Sequence, residues 1–88
     1  MNVEHFYRCR IDMDLNPLNS LPEAEEKQFW EEIYKCAEGS NHFESCEMNC
    51  YIQFEVLMTD STSYKIAIDI HNLIKEVLKK YNITEVEL

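Results

Sequence analysis

The chain has 88 residues, 17 acidic against 8 basic side chains and a formal net charge of −9. That length allows one domain with a thin core, and a hydrophobic fraction of 45% with ten aromatic residues excludes intrinsic disorder. An acidic surface repels phosphate backbones, so direct binding to DNA or RNA is disfavoured.

Residues 3–15 alternate. Val3, His5, Tyr7, Cys9, Ile11, Met13 and Leu15 fall on one side, and Glu4, Arg8, Arg10, Asp12 and Asp14 on the other, with Phe6 as the exception. Period two over this length predicts a strand with one buried and one wet face. Asn16-Pro17 ends it, because proline cannot donate to the ladder. Ser20-Leu21-Pro22-Glu23 has the spacing of a capping box. It predicts a helix running to about Glu38, with Gly39 in a left-handed C-cap. The apolar stripe of this helix is Phe29, Trp30, Ile33 and Ala37, and Glu25, Gln28, Glu31, Glu32 and Lys35 form its outer face.

Residues 46–58 alternate again. They read either as one long strand or as a hairpin of His42–Glu47 and Cys50–Thr59 through Met48-Asn49, where no glycine supplies positive φ. Asp60-Ser61-Thr62-Ser63 is a run of N-cap residues before a second helix to about Tyr81. Ile66, Ala67, Ile70, Leu73, Ile74, Val77, Leu78 and Tyr81 make its broad apolar stripe, and Ile70, Leu73, Ile74 and Val77 are expected to pack on Ile11, Ile52, Phe54 and Val56. Asn82 suits the left-handed C-cap, and residues 83–88 alternate weakly as a final strand. The fold class is therefore α+β. Two helices pack on one face of a mainly antiparallel three- or four-stranded sheet, in ferredoxin-like β-α-β-β-α-β order if the middle segment is a hairpin.

Candidate chemistry is sparse. His42, Cys46 and Cys50 suggest a zinc site, but residues four apart on one strand sit about 13 Å apart, too far for one ion. Cysteines acting as small hydrophobes explain them, and no metal or cofactor is expected. Cys9 with His5 or His71 would be a thiol–imidazole pair, but nothing in the sequence places them together. Gly39 is the only glycine, which excludes phosphate-cradling loops. Arg8 and Arg10 alternate with acids, which implies cross-strand ion pairs. The N-terminal residues resemble no signal peptide, and no apolar stretch is long enough to span a bilayer, so a cytoplasmic, disulfide-free protein is expected.

Charge placement carries the functional expectation. Residues 1–60 hold 13 acids against four bases, a net of −9, and residues 61–88 hold four of each. Six glutamates lie between Glu23 and Glu38. The reading is a non-catalytic protein-binding domain, an acidic mimic of nucleic acid that inhibits a basic nucleic-acid-processing protein, with Glu25, Glu31 and Glu32 as contacts. Phe6, Tyr51 and Leu57 on the otherwise polar strand faces imply a second contact patch or a homodimer. The alternative is a dimeric ferredoxin-like domain that senses a small ligand.

Overall fold

The computed structural model describes residues 4–46, 48 and 50–86. The order is β1 (Phe6–Asp12), α1 (Asn16–Asn19), α2 (Glu23–Cys36), β2 (His42–Cys46), β3 (Tyr51–Leu57) and α3 (Ser61–Lys80). The three strands form one antiparallel sheet in the order β1-β3-β2. The middle segment is thus a hairpin, and β3 is the central strand. It turns without glycine because Cys50 itself takes a positive φ of 55°.

Register sorts the side chains. Tyr7, Cys9 and Ile11 stand opposite Val56, Phe54 and Ile52, and Phe43 and Ser45 flank them on β2. This face carries the core, where Ile52 and Phe54 are wholly buried together with Phe29 and Ile33 of α2 and Ala67 and Ile74 of α3. Such side chains contribute roughly 1.5–3 kcal/mol each on burial. The other face holds Phe6, Arg8, Arg10 and Asp12 opposite Leu57, Glu55, Gln53 and Tyr51. No helix among the described residues is long and apolar enough to cross a membrane.

Several local expectations are corrected. The first strand is shorter than its alternation suggests: it ends at Asp12, and His5 is exposed. Val3 lies outside the described residues. Asn16-Pro17 does more than end a strand, because it opens the four-residue α1, whose Leu18 is buried. That short helix takes Ser20: its hydroxyl donates to the Pro17 carbonyl at 2.9 Å, and no capping box forms. Pro22 occupies the N-cap of α2 instead. The helix closes at Ala37, two residues before Gly39, and Gly39 has no positive φ. Nor does space demand glycine there: a β-carbon would meet Ile66 Cγ2 at 3.5 Å, an ordinary van der Waals contact.

At α3 the chemistry is as the residue types demand. Asp60 Oδ1 accepts from the backbone amides of Thr62 and Ser63 at 2.9 and 3.1 Å, and Ser63 completes a capping box. Asn82, with φ 60°, follows its C-terminus. The stripe of α3 is only partly buried: Ile70, Ile74 and Leu78 enter the core, whereas Leu73 is 47% exposed. At 100° per residue Leu73 lies on the flank of α3 opposite Leu78, beyond the arc that faces the sheet.

The expected final strand is reduced to one antiparallel bridge, Met13 with Glu85, on the outer edge of β1. The Asp14 amide donates to Thr84, and the Val86 amide donates to Asp12. The sheet therefore has three strands, not four, and residues 87–88 lie outside the described residues.

Candidate functional site

The sequence-selected acids lie along α2, and the structure treats them differently. Glu25 and Glu31 are exposed. Glu32 is not free. Its carboxylate accepts from Lys80 Nζ at 2.7 Å and from the Tyr81 hydroxyl, clamping α2 to the last turn of α3. These donors hold the Glu32 carboxyl below the usual carboxylate range. The same bond, with burial added, pushes the Tyr81 phenol up to about 12.

The helices α2 and α3 pack against each other. The seam between them opens into a shallow groove of about 350 Å³ lined by Glu32, Lys35, Cys36, Glu38, Leu73 and Val77. Leu73 and Val77 are its apolar lining, and Glu32, Glu38 and Lys35 its charged lining. The Cys36 thiol reports that field: burial pushes its pKa up, and the charges of Glu32 and Glu76 push the same way. On the other side of the clamp, Glu25 and Gln28 face Lys80 and Tyr81 across a second small hollow. The seam thus combines the exposed Leu73 with the carboxylates of Glu32 and Glu38 and the ammonium of Lys35. Sequence periodicity placed Leu73 in the core and so missed its place here.

Phe6, Tyr51 and Leu57 share the open sheet face but do not form one patch. Phe6 stands directly opposite Leu57, while Tyr51 stands opposite Asp12 at the far end of β1. Six residues of strand separate Phe6 from Asp12, about 20 Å. Charges fill the space between. Arg8 Nε pairs with its cross-strand neighbour Glu55 at 2.7 Å. Arg10 bonds Asp12 on its own strand at 3.1 Å and stacks 4.1 Å from the centre of the Tyr51 ring. Only the first of these is the expected cross-strand pair.

The cysteine and histidine candidates separate. Cys46 pairs with Tyr51 on the open face, and His42 lies on that face 3.7 Å from Glu44, whereas Cys50 sits in the turn. No group of three His, Cys, Asp or Glu side chains among the described residues is arranged to hold a metal ion. Cys9 and His71 do come into one neighbourhood, together with Lys75 and Glu85. There burial and Glu85 push the Cys9 thiol up, and burial and Lys75 push the His71 imidazole down. Both directions oppose a thiolate–imidazolium pair, which needs the reverse.

A cleft of about 630 Å³ opens at the end of the sheet, where the β1–α1 loop, the start of α2, the β2–β3 turn and Val86 meet. Met13, Leu18 and Trp30 form its apolar wall, and Asp14 and Glu26 supply carboxylates. Trp30 Nε1 is buried and has no hydrogen-bond acceptor among the described residues. No single motif announces this cleft, because its lining comes from four separate stretches of chain.

Comparison with known proteins returns no match: no family model fits the chain, and neither a curated protein nor a solved structure is significantly similar to it.

Proposed function

We propose that this chain is a non-catalytic protein-binding domain whose α2–α3 seam takes a basic, amphipathic segment of a partner protein. The observation that carries the reading is Leu73, 47% exposed in a groove that it lines with Val77, Glu32, Lys35 and Glu38. An apolar anchor inside a charged rim is the usual layout of a protein contact. The acidic rim selects a cationic partner and speeds encounter. Proteins that process nucleic acid carry such cationic surfaces, and the domain would inhibit one by occupying it. Glu25 and Glu31 extend the rim along α2, while Glu32 serves the rim only as part of its clamp with Lys80. Capture from host extract tests this with paired baits. Wild type should retain a basic partner that Leu73→Lys loses and that moderate salt releases. Equal retention of that partner by the Leu73→Lys bait would overturn the reading.

The sheet-end cleft favours a second reading, a small-ligand sensor. Its size and its mostly apolar wall with a few polar groups suit a ligand site. Asp14 and Glu26 suit an amine-bearing apolar ligand. The β1-β3-β2 order, with the Met13–Glu85 bridge on the outer side of β1, supports a ferredoxin-like plan with a truncated fourth strand. A thermal-shift screen with apolar amines, repeated on Glu26→Gln, checks this reading. Stabilisation that Glu26→Gln abolishes supports it, and no stabilisation by any amine refutes it.

A further inference from the structure

The outer edge of β1 is open along most of its length. Backbone groups of odd-numbered residues point inward: the Met13 amide donates to Cys50, and the His5 carbonyl accepts from Met58. Even-numbered residues point outward, as Asp12 and Asp14 do toward residues 84–86. That short segment occupies only Asp12 and Asp14. The amides and carbonyls of Phe6, Arg8 and Arg10 therefore face outward with no strand beside them among the described residues.

The flank of α3 beside this edge is also uncovered. Tyr64 is 52% exposed and Ile68 37% exposed. Tyr64 meets Tyr7 of β1 edge to face at 5.9 Å between ring centres, and Ile68 lies one helical turn further on. A strand added to β1 would lay its inward side chains on this strip, which lies on the flank of α3 opposite Leu73.

We propose that a second copy of this chain is the strand that β1 accepts, in an antiparallel two-fold pairing centred on Tyr7. Centring there sets Phe6 opposite the partner's Arg8 and Glu4 opposite the partner's Arg10, both through outward-pointing residues. Each interface then holds two Glu–Arg pairs of opposite charge. Charges commonly guard an exposed edge. Here Glu55 already neutralises Arg8 and Asp12 already pairs with Arg10, so they do not oppose approach. The pairing stops before Asp12, where residues 84–86 begin. The two three-stranded sheets would join into one of six strands, with the Tyr7 and Tyr64 rings of both copies along the seam.

Sedimentation of the full chain across the micromolar range tests this. Wild type should dimerise with rising concentration. Arg8→Pro deletes an outward amide without touching the β1–β3 ladder, and should dimerise at least tenfold more weakly. Glu4→Arg alone faces two arginines with arginines, and Arg10→Glu alone faces two glutamates with glutamates. Each should be monomeric, and an equimolar mixture of the two should recover a heterodimer. Should Arg8→Pro fail to fold, the mixing experiment decides by itself. A wild type that stays monomeric throughout, as it would if the edge served a partner's strand, overturns the proposal. So does a dimer that ignores the charge reversals.

Discussion

Replacing Glu32 by glutamine probes the clamp that holds α2 against α3. The substitution keeps the side-chain shape and removes the charge that accepts from Lys80 and Tyr81. The Lys80 pair is partly exposed, with side chains 59% and 30% accessible, and such pairs contribute about 0.2–1 kcal/mol. A hydrogen bond to a charged group contributes roughly 1.5–3 kcal/mol when well shielded, and partial exposure cuts that of Tyr81 to about 1 kcal/mol. The loss should total about 1–2 kcal/mol, which is roughly 5–10 °C in Tm for a chain of this length. pH gives a sharper signature. Glu32 titrates below its ordinary 4.5 in the fold, so its contribution is present above 4.5 and lost as pH falls through the lower value. Tyr81 moves the other way, from 10.0 to about 12. Its contribution is complete below 10 and lost as pH rises toward 12. Melting curves of both proteins from pH 3 to pH 11 should therefore differ most across the neutral range and draw closer toward both ends. A difference that stays constant with pH, or a Tm unchanged by the substitution, would refute the clamp.

Three further outcomes follow from the same geometry. Ile74→Ala should cost about 2–5 kcal/mol in urea unfolding, because the side chain is wholly buried, whereas Leu73→Ala should change stability by less than about 1 kcal/mol. Asp60→Ala should lose about 0.5–2 kcal/mol by removing the cap of α3, and Asp60→Asn should retain most of it. Reversing Glu25 and Glu31 to lysine should slow association with a captured basic partner several-fold at low salt and move Tm little, since both are exposed and outside the clamp.

Much of the architecture was legible wherever one residue type has one local use. Alternation in β1 and β3 reports a sheet with one buried face, and the pairing of Cys9 with Phe54 and Ile11 with Ile52 agrees with it. Asp60 caps α3 and Asn82 takes a positive φ, as their side chains favour. What escaped depends on partners distant in sequence. A stripe of eight apolar residues on α3 is wider than the arc the sheet can cover, and periodicity does not tell which edge stays out; the structure leaves out Ile66 and Leu73. Ser20 fits a cap by spacing, but Pro17 starts a short helix whose carbonyl takes the hydroxyl. Glu32 looks like any other outer glutamate until Lys80, 48 residues away, is placed beside it. The sheet-end cleft gathers Trp30, Met13 and Val86 from places that share no pattern.

Amide chemical-shift mapping of the ¹⁵N-labelled chain against a lysine- and leucine-containing helical peptide tests the central claim most directly. The seam reading predicts shifts concentrated at residues 25–38, in α2 and just past its end, and at residues 73–77 of α3. They should weaken with salt and vanish in Leu73→Lys, while the rest of the spectrum of that variant stays native. Shifts that spread over all acidic residues alike, or that persist unchanged in Leu73→Lys, would contradict a groove with an apolar anchor and leave the acids of α2 as a solvated face.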